Sequence, residues 1–280
     1  MRNEEELKKY FQNYVFDLYG TLIDIHTDEN NLLFWTKMAA LLSCYGADYT
    51  PEQMQQKYFD LVHQQERKLA FEKKLNFPEI RIEYVFAKLI KQAPKYHETR
   101  EQITNCQEEE IAEGEWVRMF SHVFRTLSRT KLAIYPHTAA TLEELRRNGS
   151  HIFLLSNAQK QFTDAEIEIT GIRKYMEAVY ISSDMGMKKP QPEFLQQLLE
   201  EQKLNPSETV MVGNDFQSDI GSAAACGIHG IFLNTDKLSS TEMRARISRL
   251  PLKPDGSRCR PDIIASGDIQ ELLCMAEMAK

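Results

Sequence analysis

The sequence predicts an α/β fold: a doubly wound parallel sheet into which an all-α domain is inserted. Three observations carry that reading. Short, continuous apolar runs recur from residue 131 onward and once before it, at Tyr14-Val15-Phe16. Runs of this kind suit strands buried on both faces of a parallel sheet. Between the later runs the spacing is helical, as βα units require. From residue 25 to 130 helical spacing stands alone. The 280 residues therefore divide into a core domain of residues 1–24 and 131–280 and a helical domain of residues 25–130.

The elements follow in order. Residues 3–11 read as a short polar helix. Tyr14-Val15-Phe16 is the first strand, closed by Asp17 and a turn at Gly20-Thr21. Four apolar sets at helical spacing follow. They are Leu32, Leu33, Trp35, Met38, Leu41 and Leu42; Tyr58, Phe59 and Val62; Tyr84, Phe86, Leu89 and Ile90; and Ile111, Trp116, Met119, Phe120, Val123 and Phe124. Pro51 and Pro78 read as helix starts and Pro94 as a helix end. A helix over 138–148 stops at Asn148-Gly149. Strands follow at Ile152–Leu155, Val179–Ile181, Val210–Val212, Gly230–Leu233 and Asp262–Ile264, with helices near 191–202, 217–226 and 268–279. Residues 237–260, rich in Ser, Arg, Lys and Pro, read as a surface excursion.

Composition narrows the function. With 42% hydrophobic and 27% charged residues the chain is of ordinary globular type. A formal net charge of −7 leaves no broad basic face, so nucleic acid is not the expected partner. No apolar run reaches the roughly 20 residues of a membrane span, and the first residues lack the apolar stretch of a signal peptide. The five cysteines are scattered, with no CxxC. They read as reduced thiols of a cytoplasmic protein.

Ligands of open α/β sheets gather beyond the carboxyl ends of the strands. The residues there are Asp17-Leu18-Tyr19-Gly20-Thr21 after the first strand, Ser156-Asn157 after the second, and Gly213-Asn214-Asp215 with Asp219 after the fourth. Lys188-Lys189-Pro190-Gln191-Pro192 stands between the last two. A carboxylate, a hydroxyl, a lysine and an acidic group thus converge on one edge. Such a set can grip an anion beside a nucleophile and hold a divalent cation.

On these residues the chain resembles the haloacid dehalogenase-like (HAD) hydrolase superfamily. The family's first motif is a strand ending in Asp-x-Asp-Gly-Thr-Leu, here Asp17 to Leu22 with Tyr19 at the second acidic position. Its second ends in Ser-Asn, here Ser156-Asn157. Its third is Lys-Pro-x-Pro, here Lys189 to Pro192. Its fourth is Gly-Asp with a later Asp, here Gly213-Asn214-Asp215 and Asp219. The resemblance implies a HAD-like Rossmannoid core with a helical cap inserted between the first two motifs. It implies Asp17 as nucleophile, with Tyr19 and Lys189 in the catalytic set. Thr21, Ser156, Asn157 and Lys189 would bind the phosphate. Mg²⁺ would be held by Asp17, the Tyr19 carbonyl and either Asn214 or Asp215, with Asp219 supporting.

The implied reaction is Mg²⁺-dependent hydrolysis of a small phosphate monoester through an aspartyl intermediate. The partner is then a small phosphorylated or anionic metabolite. Tyr19 leaves a second reading open, because a phenol is a poor base near neutral pH. Phe16-Asp17-Leu18-Tyr19-Gly20-Thr21-Leu22 also resembles the first motif of the 2-haloacid dehalogenase branch, in which the leaving halide needs no proton and no metal takes part. That branch carries an Arg in its first cap helix and a Tyr six residues after the Lys; here Lys37 and Leu195 stand there. A catalytically idle small-anion-binding protein is the third reading. Plainer roles stay open for single residues: strand-end caps for Asp17 and Ser156, turn bonding for Thr21, and helix caps for Asp215 and Asp219.

Overall fold

The computed structural model describes residues 11–96 and 106–277. The polar helix expected over residues 3–11 lies outside the described residues, Phe11 excepted. In chain order the strands are β1 (Asn13–Phe16), β2 (Ile23–Thr27), β3 (Ala47–Asp48), β4 (Lys95–Tyr96), β5 (Arg129–Ile134), β6 (His151–Ser156), β7 (Ala178–Ile181), β8 (Thr209–Gly213), β9 (His229–Leu233) and β10 (Asp262–Ile264). Six of them form a sheet in the order β10-β9-β8-β1-β6-β7. Every pairing in it is parallel. Each residue of β1 is buried, as a central strand covered on both faces requires.

Register places the strand ends together. Phe16 lies opposite Leu154 of β6 on one side and Val212 of β8 on the other. The residues that follow, Asp17, Leu155-Ser156 and Gly213-Asn214, therefore leave the sheet side by side. One face of the sheet packs Val15, Phe153, Leu155 and Met211 against Phe194, Leu195 and Leu198 of the helix Pro192–Glu201.

The described chain falls into two compact units. One holds the chain before Ile25, Ala133–Asn157, and the chain after Glu166. The other holds Ile25–Leu132 and Ala158–Glu166. In the second unit the helices Leu32–Ser43, Pro51–Lys73, Ile82–Lys91, Glu108–Ala112 and Glu115–Ser128 enclose their own core, with Trp35, Met38, Phe86, Phe120 and Phe124 fully buried. Local chemistry sets their ends. Thr50 and Gln53 form a reciprocal capping box with Pro51 in the first turn, and Asn31 Oδ1 accepts from Leu33 N at 2.9 Å.

Several expectations are corrected. Pro78 does not start a helix: the helix begins at Ile82, and its first N–H is met by Gln159 Oε1 at 2.9 Å rather than by a local cap. β2 and β5 pair as a two-stranded ribbon where only helical or irregular chain was expected. The helix expected over 217–226 opens with a wide π turn, Phe216–Ile220, before the α-helical Gly221–Ala225. Residues 237–260 are no bare excursion, since they carry the helix Ser240–Ile247, whose Met243 packs with Cys259, Phe216, Ile220 and Phe232.

Ala158–Glu166, placed in the core domain by sequence, groups with the helical unit. Glu166 explains why. It is fully buried and accepts from Arg125 Nε at 2.8 Å and Arg129 Nη1 at 2.7 Å. Three charges so placed must be paired, because a lone buried carboxylate is strongly unfavourable.

Candidate active site

The loop after β1 is a tight turn built on one acceptor. Leu18 O receives Leu22 N at 2.8 Å, Ile23 N at 2.9 Å and Thr21 N at 3.3 Å. Gly20 takes φ +84°, and a side chain there would collide with Asn214. A residue without Cβ is required on both counts. The turn sends the Thr21 hydroxyl back to Asp17 Oδ2 at 3.0 Å. The same hydroxyl lies 3.3 Å from Asn214 Oδ1.

Lys189 is the electrostatic centre. Its ammonium is buried and donates to Asp17 Oδ1, Asp219 Oδ1 and Leu155 O, each at 2.7 Å. An ammonium has three protons, and each has an acceptor. Burial works to lower the Lys189 pKa, but the charges of Asp17 and Asp219 and their hydrogen bonds outweigh it and leave it above the ordinary lysine value. Burial pushes Asp219 up to about 7, opposed by the Lys189 charge and reinforced by that of Asp17. Gly213 makes room for this carboxylate, since a Cβ there would overlap Asp219. Asp219 Oδ2 also accepts from Asp215 N at 2.9 Å, which binds the π turn to the lysine.

Asn157 braces the lysine. Its Nδ2 donates to Lys189 O at 2.9 Å and its Oδ1 accepts from Lys189 N at 2.7 Å. Ser156 differs. Its hydroxyl is buried and has no hydrogen-bond partner within the described protein. A buried hydroxyl left unpaired at a strand end is costly unless a ligand completes it.

The residues expected to hold a cation divide in the same way. Asp215 Oδ1 caps the turn at Ser218 N, and Asn214 is the one of the pair that reaches Thr21. Among the described residues no three His, Cys, Asp or Glu side chains cluster as a metal site. The available donors are all oxygens: the Asp17 carboxylate, the Tyr19 main-chain carbonyl and Asn214 Oδ1. That set suits Mg²⁺, which takes hard oxygen ligands and commonly binds through one or two carboxylates plus substrate phosphate. It carries a single negative charge, so it fits a cation held jointly with an anionic substrate.

A loop that the sequence reading passed over joins this edge. After β9, Thr235 Oγ1 donates to Gly20 O at 2.6 Å, and Asp236 Oδ2 accepts from Asn214 Nδ2 at 3.3 Å. Burial, with the nearby charges of Asp24 and Asp236, raises the Tyr135 phenol above its usual range. The rule that picked out the ends of the other strands applies equally to Asn234-Thr235-Asp236 and would have found them.

A family model described as haloacid dehalogenase-like hydrolase matches residues 11–227. Phosphoserine phosphatase of Thermus thermophilus is 26% identical over 144 residues, 51% of this chain and 51% of that protein. Phosphoglycolate phosphatase of Vibrio parahaemolyticus is 36% identical over 100 residues, 35% of this chain and 43% of that protein. The chain spans about half the length of the curated relatives it matches. In fold it resembles a solved 2-haloacid dehalogenase from Pseudomonas syringae pv. tomato, with a TM-score of 0.61 over 96% of this chain and 99% of that one, at 18% identity.

Proposed function

Because the chain belongs to the haloacid dehalogenase-like hydrolase family, we propose that it hydrolyses a small phosphate monoester with Asp17 as the nucleophile. One observation carries the reading: the buried Lys189 ammonium holds Asp17 at 2.7 Å while the Ser156 hydroxyl at the neighbouring strand end lacks a partner among the described residues. This is a nucleophile beside an incomplete anion site. Relatives named as phosphoserine and phosphoglycolate phosphatases support a small phosphorylated metabolite as substrate.

In this reading an Asp17 oxygen attacks phosphorus, the ester P–O bond breaks, and an aspartyl-phosphate forms as the leaving alkoxide takes a proton from solvent water. Water then attacks the phosphoryl group, releasing phosphate and restoring the Asp17 carboxylate. Lys189 neutralises Asp17, which otherwise repels a dianionic ester. Lys189 and Ser156 carry charge on the transferring oxygens. Thr21 orients Asp17 through Oδ2, Asn157 fixes the Lys189 main chain, and Asp219 keeps the ammonium charged. Asp17, the Tyr19 carbonyl and Asn214 would hold a Mg²⁺, which would supply additional neutralisation of phosphate charge.

A specific observation favours a second reading. Tyr19 occupies the position of the family's acid, and the candidate cation donors include one carboxylate. Displacement of halide from a 2-haloacid needs neither a proton nor a metal. The test is a panel of phosphorylated metabolites and 2-haloacids assayed with Mg²⁺ and with chelator, on wild type, Asp17→Asn and Tyr19→Asp. The phosphatase reading expects Mg²⁺-dependent phosphate release, its loss in Asp17→Asn, and a gain in Tyr19→Asp, since a recovered general acid is worth roughly 10²–10⁴-fold. Halide release that survives chelation and falls in Tyr19→Asp would establish the second reading instead. Full phosphate release by Asp17→Asn would remove the nucleophile.

A further inference from the structure

We propose that Asp236 is a positioning residue that fixes the orientation of the Asn214 carboxamide, so that its oxygen, not its nitrogen, faces Thr21 and Asp17. The inference deepens the phosphatase reading and rests on it. A carboxamide has one accepting and one donating end, and the two occupy nearly the same volume. What sits at each end decides which way it points. A carboxylate can only accept, so Asp236 Oδ2, 3.3 Å from Asn214 Nδ2, selects the donor end. The oxygen end is thereby turned toward Thr21 Oγ1, 3.3 Å away, whose single proton goes to the nearer Asp17 Oδ2 at 3.0 Å, so the Asn214 oxygen keeps its lone pairs for another group. The contacts from Asp236 through Asn214 and Thr21 to Asp17 link the exposed loop after β9 to the nucleophile.

The loop is built to hold this position. Thr235, next to Asp236, is tied to Gly20 O at 2.6 Å. Asn234 is buried and closes the turn by donating to Leu238 O at 2.9 Å and Ala265 O at 3.2 Å and accepting from Leu238 N at 2.7 Å. Lys237 adopts φ +56° to complete it. The same loop therefore grips the first-motif turn through Thr235 and the fourth-motif side chain through Asp236. The consequence is chemical. With oxygen inward, Asn214 is a neutral oxygen donor for a hard cation. With nitrogen inward, it would present N–H groups that repel one.

The experiment compares wild type, Asp236→Ala, Asp236→Asn, Asn214→Asp and the double variant Asp236→Ala/Asn214→Asp. The first readout needs no substrate or metal: the side-chain amide NMR resonances of Asn214, identified by their disappearance in Asn214→Asp. The proposal expects them to move in Asp236→Ala and to stay nearer the wild-type position in Asp236→Asn, which keeps an accepting oxygen. The second readout is Mg²⁺ affinity by calorimetry. Asp236→Ala should weaken it about three- to tenfold, the scale of one partly exposed charge-assisted hydrogen bond. In the Asn214→Asp background the loss should shrink to the small, salt-screened effect of the removed charge. A carboxylate offers oxygen either way round and needs no orienting.

A loop that is merely structural would weaken binding equally in both backgrounds, and that outcome overturns the proposal. So do Asn214 resonances that ignore Asp236→Ala. An absence of phosphatase activity in wild type, alongside resonances that follow Asp236, defeats the phosphatase reading and leaves the positioning role standing.

Discussion

Replacing Lys189 with Met removes the ammonium but keeps an unbranched apolar stem of nearly the same length. Two buried carboxylates, Asp17 and Asp219, then lose their shared counter-charge, and Leu155 O loses its donor. Each carboxylate oxygen lies 2.7 Å from Nζ, so the two oxygens are no more than twice that distance apart. At a separation of about 5 Å and an effective dielectric of about 20, their repulsion is about 3 kcal/mol. Removing one partner of a buried ion pair costs about 3–5 kcal/mol in all. Urea unfolding of Lys189→Met in mildly alkaline solution, where both carboxylates tend to ionise, should therefore report a loss in that range.

Two controls give the argument its edge. Lys189→Met/Asp219→Asn removes the repulsion and should recover about 3 kcal/mol while remaining inactive. The deficit of the single variant should also shrink as pH falls from alkaline through neutral, because Asp219, raised to about 7 even beside the lysine, takes up a proton more readily without it. A double variant no more stable than Lys189→Met, or a Lys189→Met protein as stable as wild type in mildly alkaline solution, refutes the account of the lysine as a charge shared between two acids.

The remaining predictions concern its neighbours. Gly20→Ala should lose about 1–2 kcal/mol from the left-handed conformation alone, and more from displacing Asn214; thermal unfolding with a turnover assay checks both. Asn157→Ala deletes two hydrogen bonds to the Lys189 main chain and should cost about 2–3 kcal/mol, with kcat falling more than KM rises. Asp219, ordinarily near 3.8 and raised to about 7 in the fold, makes its stabilising contribution below the lower value and loses it as pH rises through the upper one. Urea melts across that window should slope downward with pH in wild type and more weakly in Asp219→Asn.

The sequence by itself determined the parallel sheet, the inserted helices and the strand-end residues that could meet. These depend on local patterning: continuous apolar runs make strands buried on both faces, and helical spacing makes amphipathic helices. Asp17 and Ser156 were legible because each closes or follows such a run, and Lys189 because it stands before Pro190 in the Lys-Pro-x-Pro sequence. The ribbon of β2 and β5 was not, since its residues are only half-buried and carry little apolar signal.

What a polar side chain does once placed was decided by tertiary structure. Asn157 is committed to Lys189, Asp215 to a cap and Asn214 to Thr21, though Asn214 and Asp215 are adjacent in the chain. Neighbours on a strand end point in different directions, and their partners come from loops far away in sequence. Glu166 and Asp236 make the same point. Their partners, Arg125 and Asn214, lie 41 and 22 residues away, and no local periodicity encodes pairings that exist only after the chain has closed around them.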